Sequence, residues 1–531
     1  MHIERQHRRL LVLALLLVAV PTSAIAREAK TAVAPSGRII VKLKANALPQ
    51  GLSAPQIAAE LRKPLSAARM GALSSAAGLN LVDLHALADG AHVLLANEVD
   101  EADLEVALGR IRKLAEVEYV EEDTRIFPTL IPDDPWYPGL WNFHPPQSTF
   151  GADFEGAWDL AKGSREMVVA VVDTGILPHP DLVGPGGTVL PPTGALVSAG
   201  YDFLSDCRRR GTCDLTTPAH QAGVEPWHDA TDLGNWISES DQLVPDFAGC
   251  QVRPSSWHGT HVAGTIGALG DNARDIAGGA FGIGLLPVRV LGRCGGYASD
   301  VAEGIRWAAG VHEWIDNPHP ARVINLSLGG LSECLETTQR AIDAARRAGA
   351  VVVVAAGNEG ADSATSEPAN CGGVIAVAAS NRGGRLAEYS NRGEEIALLA
   401  PGGEIETTWE EGILSTGNRG QQSFDPEGFG VVSYMGTSMA APHVSAAVAL
   451  MLLRNPALAA THVKALLTAP DSVTPFPEGS SCAEQGECGA GILNARRAVN
   501  ASLTPLQASA ASLEFSFVEP GDSASEYIFF T

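Results

Sequence analysis

Three polar residues in this chain are of the types that nucleophilic hydrolysis needs, each set in a run of small or apolar residues. Asp173 ends the apolar run of "MVVAVVDTG", His258 opens "HGTHVAG", and Ser438 sits in "GTSMAAPHV". A serine hydroxyl is a weak nucleophile at neutral pH. It attacks a carbonyl when a neighbouring base takes its proton and a third group orients that base. Read singly, each residue has a plainer role. Asp before Thr-Gly is turn chemistry, a histidine can simply pack, and a serine before an apolar run caps a helix. Together they supply base-orienter, base and nucleophile. Asn358, closing "VVVVAAGN", is a further polar residue at the end of an apolar run.

Groups this far apart in sequence need a scaffold to bring them together. "MVVAVVDTG", "LLPVRVLG", "RVINLSLGG", "AVVVVAAGN" and "GVIAVAAS" read as strands apolar on both faces, as buried parallel strands are. Between them "HVAGTIGAL", "DVAEGIRWAAGVHEWI", "ECLETTQRAIDAARRAG" and "SMAAPHVSAAVALML" read as helices. Strand–helix alternation of this kind predicts an α/β fold, a doubly wound, mainly parallel sheet. In such sheets functional groups gather at the carboxyl ends of the strands, where Asp173, Ser327 and Asn358 fall. Residues 186–256 are Gly/Pro-rich and acidic and are expected to be surface loops.

The chain order Asp, His, Ser differs from that of α/β-hydrolases and of chymotrypsin-like enzymes. "VVDTGI", "HGTHVAG" and "GTSMAAPHV", with "AAGN" between the last two, resemble the catalytic blocks of the subtilisin-like serine proteases over about 135–500. The resemblance implies a serine endopeptidase working through an acyl-enzyme, with Asp173 orienting His258, His258 as general base and Ser438 as nucleophile. It implies an oxyanion hole of the Asn358 amide and the Ser438 N–H, and a structural role for His261. It further implies that Ser327, Leu328, Gly329 and Gly330 form a backbone edge for an extended peptide. Ala355, Ala356 and Gly357 would wall the pocket for the residue before the scissile bond, with Ser366 at its floor. No acidic residue is apparent at that floor, although Glu367 is adjacent, so broad cleavage after apolar or aromatic residues is expected. No cofactor is implied for catalysis. A structural Ca²⁺ is expected on the acidic stretch carrying Asp229 and Asp232, which lacks the EF-hand spacing.

The N-terminus starts with a short basic segment. The apolar run 10–20 that follows is too short to span a bilayer comfortably, and "PTSAIA" offers an A-x-A cleavage pattern. Residues 1–26 are therefore expected to be a signal peptide, and the protein to be secreted with no membrane anchor after processing. Segment 27–132 contains a small α+β module at about 38–127, joined by the Pro-rich "FPTLIPDDPWYPG" to a catalytic domain at 133–502. By position and by "VEYVEED" the module resembles the family's propeptide, which assists folding and inhibits its own enzyme. The tail 503–531 reads as the start of a β-segment.

Net charge is −24, which excludes nucleic acid as the main partner. Protein or peptide substrates and the chain's own propeptide are the partners expected, with the enzyme a monomer. Export makes disulfides the default for eight cysteines. Cys207 and Cys213, and Cys482 and Cys488, are close in sequence, while connectivity of the rest is open from spacing alone. Similarity to disulfide-bearing secreted bacterial members implies Cys250–Cys294 and Cys334–Cys371. The alternative function is a catalytically silent exported binding protein on the same scaffold. Silent relatives usually lose a triad member, and here all three and Asn358 are present.

Overall fold

The computed structural model describes residues 37–44, 63–87, 89–96, 101–123, 131–146, 149–184, 194–196, 198–205 and 229–503. The chain divides into two units, Met1–Phe127 and Pro128–Thr531. The signal segment, Cys207, Cys213 and nearly all of the tail lie outside the described residues.

The first unit is an antiparallel sheet of β1 (Arg38–Leu43), β2 (Leu81–Ala86), β3 (His92–Ala96) and β4 (Val117–Glu122), in the order β2-β3-β1-β4. In β1, Ile39 and Val41 are buried and their neighbours less so, the period-2 signature of a sheet covered on one face. The cover is α1 (Ala67–Ala77) and α2 (Glu101–Ile111). Leu104, Ala107, Leu108 and Ile111 recur at helical spacing and are buried. The module expected at 38–127 is thus an α+β sandwich. Strand β2, "LVDLHA", was not anticipated, because half its side chains face outward and no apolar run marks it.

The second unit is built on a nine-stranded sheet in the order β16-β17-β13-β12-β10-β8-β5-β7-β6. Its central strands are β5 (Val168–Asp173), β7 (Gly284–Arg289), β8 (Val323–Leu326), β10 (Val351–Ala355), β12 (Ile375–Ser380) and β13 (Ile396–Pro401), all parallel and buried throughout. Edge strand β6 (Tyr201–Asp202) is parallel too, and β17 (Ile492–Leu493) pairs antiparallel with β16 (Val473–Thr474). Side chains of β5 alternate between two cores. Val169 and Val171 face α3 (His258–Gly267) and α6 (Thr437–Arg454); Val168, Ala170 and Val172 face α4 (Ala298–Ala308) and α5 (Glu336–Arg347). This is the doubly wound α/β fold expected. Strand order reverses between β5 and β8, and the crevice at such a switch point is where ligands bind.

Two expectations are corrected. The helix read as running to Ile315 stops at Ala308. Gly310 adopts φ +71°, its N–H bonds the Trp307 carbonyl and the Val311 N–H bonds that of Arg306, a Schellman closure. Nor is all of 186–256 surface loop. Ile237 and Phe247 are buried, and Arg293 lies between the rings of Trp236 and Phe247 (4.6 and 4.8 Å) while pairing with Asp241. The hairpin of β14 (Ile413–Asn418) and β15 (Phe429–Tyr434) was also not foreseen.

Candidate active site

Strand β5 delivers Asp173 to the switch point, where its side chain is wholly buried. Its Oδ1 and Oδ2 lie 2.8 and 3.0 Å from His258 Nδ1, and Oδ1 also accepts the Thr174 N–H at 2.7 Å. A carboxylate on Nδ1 fixes the tautomer that leaves Nε2 free to accept a proton. Burial disfavours the imidazolium, but the charge of Asp173 and its hydrogen bond outweigh this, and Asp232 adds to them. The His258 pKa is therefore raised.

Thr174 ties the two segments together. Its Oγ1 donates to Asp232 Oδ2 (2.6 Å) and accepts the Gly259 N–H (3.0 Å), next to His258. Its carbonyl accepts Arg289 Nε (3.2 Å), and Arg289 pairs in turn with Asp202 (3.0 Å). Asp232, expected with Asp229 on a calcium site, is thus engaged with Thr174. Asp232 is buried, and its other oxygen takes the Gly234 N–H. Burial raises its pKa to about 6, against the Thr174 hydrogen bond and Arg289. Asp229 spends its Oδ1 on the N–H and hydroxyl of Thr231.

Ser438 stands in the first turn of α6. N–H groups there have no intrahelical partner and are free to meet an anion. Its hydroxyl donates to the Ser327 carbonyl at 3.2 Å. Pro442 follows four residues later and has no N–H to give the Ser438 carbonyl. Ser327 Oγ takes that place at 2.7 Å, joining the end of β8 to the start of α6. Asn358 accepts the N–H and hydroxyl of Thr437 on its Oδ1 (2.9 and 3.0 Å). That leaves its NH₂ as the group presented to the cleft.

His258, Ser327, Leu328, Gly329, Gly330, Asn358 and Ser438 all line one cleft of about 460 Å³. Behind it Ala355 and Ala356 are buried, and Gly357 has φ +105°. A Cβ on Gly357 would come within 2.8 Å of Ser366 Oγ and 2.3 Å of Asn391 Nδ2, so only glycine fits. Ser366 is buried in that wall. Glu367 and Pro368, by contrast, line the cleft itself, as do Arg253 and Tyr297, which sequence reasoning missed. Glu367 is placed by pairing of β11 (Ser366–Glu367) with β9 (Gly330–Leu331), a long-range contact with no local signal. His261 stacks on Tyr434 (4.6 Å) and its Nε2 meets the Ile413 carbonyl at 3.0 Å. Burial, helped by nearby His258, pushes its pKa down to about 3, so it is neutral.

The structure bonds Cys250 to Cys294, Cys334 to Cys371 and Cys482 to Cys488. The first two staple loops beside the cleft: Cys294 precedes Gly295, Gly296 and Tyr297, and Cys371 follows Pro368 closely.

A separate acidic group, Asp133, Asp134 and Asp271, brings one carboxylate oxygen from each within 4.8 Å of the others. Asp134 accepts the Asp271 N–H at 3.0 Å. Nearby Asp181 is buried, and burial raises its pKa to about 7, with Asp275 and Asp134 contributing like charge. Hard carboxylate oxygens so grouped suit a Ca²⁺-type ion.

A carboxylate–imidazole pair, a hydroxyl and a neutral amide around one cleft can cleave acyl bonds by nucleophilic attack. Comparison with known proteins agrees. Residues 164–486 match the Subtilase family. The chain is 39% identical over 442 residues to the extracellular protease of Xanthomonas campestris pv. campestris, covering 82% of this chain and 69% of that protein. It is 37% identical over 394 residues to the extracellular basic protease of Dichelobacter nodosus, covering 73% and 59%. Among solved structures, a protease of Pseudoalteromonas arctica PAMC 21717 superposes with a TM-score of 0.61 at 38% identity, over 70% of this chain and all of that one. On its fold, its cleft and these likenesses, the chain belongs to the subtilase family, as a subtilisin-like serine endopeptidase.

Proposed function

We propose that the protein is an exported, self-processing endopeptidase in which Asp173, His258 and Ser438 form the catalytic triad. The observation that carries this reading is the Asp173–His258 pair opening onto the same cleft as Ser438 and Asn358. His258 Nε2 takes the hydroxyl proton as Ser438 Oγ attacks the peptide carbonyl. The Asn358 NH₂ and the Ser438 N–H receive the developing oxyanion, His258 returns the proton to the leaving amine, and water releases the acyl group. The substrate lies extended along Leu328–Gly330. The residue giving the scissile carbonyl enters between Gly329 and Ala355–Gly357, where small apolar residues favour apolar or aromatic groups.

Residues 1–26 serve as the signal peptide, 27–132 as propeptide and 133–502 as catalytic domain. The division of the chain after Phe127 supports that boundary, and the relatives named as extracellular proteases support export. Asp133, Asp134 and Asp271 would hold a structural Ca²⁺, supplying stability and no step of catalysis. Dialysis against EDTA is then expected to lower the Tm by roughly 5 °C, with recovery on adding Ca²⁺ but not K⁺. An unchanged melt removes the ion from this account.

The deciding experiment is fluorophosphonate labelling with N-terminal sequencing, wild type beside Ser438→Ala, from a protease-deficient host. Wild type should label and begin near residues 128–134. The variant should not label and should retain the first module. If neither labels and both keep that module, the silent binding-protein reading replaces this one.

A further inference from the structure

The cleft carries opposite charges at two stations. Arg253 lines the cleft with His258 and Ser256, and Glu367 lines it beside Gly330. Neither has an ion-pair partner among the described residues. Glu367 is half-buried. Its Oε1 accepts the Thr338 hydroxyl (2.6 Å) and the Leu335 N–H (3.3 Å), bonds that orient the carboxylate without neutralising it. A Cβ at Gly330 would touch nothing within 4 Å, so the approach to Glu367 is open. Arg253 is exposed and close enough to His258 to disfavour its protonation.

An extended peptide supplies the ruler. It advances about 3.3 Å per residue, and alternate side chains share a face. Ser327 is bonded to Ser438 and marks the residue giving the scissile carbonyl, here counted as the first. Gly330 lies three residues along, about 10 Å away, and so faces the fourth upstream residue. The second and fourth point to the same side, and Arg253 and Glu367 line the same cleft.

We infer that this cleft selects peptides with Lys or Arg at the fourth position and Asp or Glu at the second. The inference rests on the strand-addition reading of the substrate given above. A cationic side chain reaching Glu367 meets a carboxylate held in place by two donors, whereas an acidic one meets like charge, and repulsion gives discrimination as well as attraction.

The test uses the purified full chain, activated until titratable with fluorophosphonate, and four quenched fluorescent peptides before one common leaving segment: Lys-Ala-Gln-Leu and Glu-Ala-Gln-Leu for the fourth position, Gln-Ala-Glu-Leu and Gln-Ala-Lys-Leu for the second. In each pair the first should exceed the second in kcat/KM by about tenfold, narrowing at high salt. In Glu367→Lys the preference at the fourth position should reverse. In Arg253→Gln the preference for Glu at the second should disappear. Equal rates in titratable wild type overturn the inference, as does a preference that survives in both variants. No labelling and no turnover of any peptide sinks the endopeptidase reading, and the inference with it.

Discussion

Replacing Ser438 by alanine should lower kcat by about 10⁶-fold, the magnitude known for the corresponding change in subtilisin. The reason is chemical, since the Ser438 hydroxyl is the attacking group in the proposed mechanism. The fold should be indifferent. The Ser438 side chain makes one long hydrogen bond, to the Ser327 carbonyl, and the Ser327–Ser438 strut uses the backbone oxygen that alanine keeps. The melt should therefore move by no more than about 2 °C. Residual hydrolysis, measured on protein free of host proteases, reports what Asn358 and the cleft do alone. A variant within tenfold of wild type would remove Ser438 from the mechanism.

Changing Asp173 to asparagine should cost about 10⁴-fold in kcat, as in other serine triads, while leaving substrate affinity nearly intact. Both carboxylate oxygens face His258 Nδ1, at 2.8 and 3.0 Å, and Oδ1 also holds the Thr174 N–H. An amide turned to keep its oxygen on Thr174 offers NH₂ to Nδ1. The imidazole must then carry its proton on Nε2, the wrong tautomer for a base. The pH profile adds a second readout. His258 works when neutral, and Asp173 raises its pKa, so wild-type activity is lost as pH falls through a value above that of an ordinary histidine. Without the carboxylate, burial and Arg253 both act to lower that pKa. The acid limb should move to lower pH even as the maximum collapses. A limb that stays in place would mean that Asp173 orients the ring without contributing charge.

Much of this was legible in the sequence, for reasons that differ by residue. Asp173, Asn358 and Ser327 follow strands apolar on both faces, so their place at the carboxyl edge comes from the run before them. His258 and Ser438 start helices, and their small neighbours mark close packing. What could not be read depends on pairs remote in the chain. Asp232 reads as a loop carboxylate until its partner is known to be Thr174, 58 residues earlier. The acidic group joins Asp133 and Asp134 to Asp271, and nothing near either end announces the other. Glu367 looked merely adjacent to a pocket, and its entry into the cleft is set by the register of β9 against β11. The β14–β15 hairpin has no turn dipeptide of the Asn-Gly kind between its strands, and its ten-residue connection hid the pairing.

Pro442 leaves a gap in the hydrogen-bond ladder of α6, and Ser327 closes it from outside the helix. Judged as a helix residue, the proline is a defect: a substitute with an N–H could bond the Ser438 carbonyl and tighten the first turns. That same bond would compete with Ser327 for the carbonyl and uncouple the nucleophile from the strand carrying the substrate edge. Local stability and the registration of two catalytic parts are thus opposed at one atom. The fold favours alignment, holding the proposed nucleophile from outside a helix whose own ladder leaves that carbonyl open.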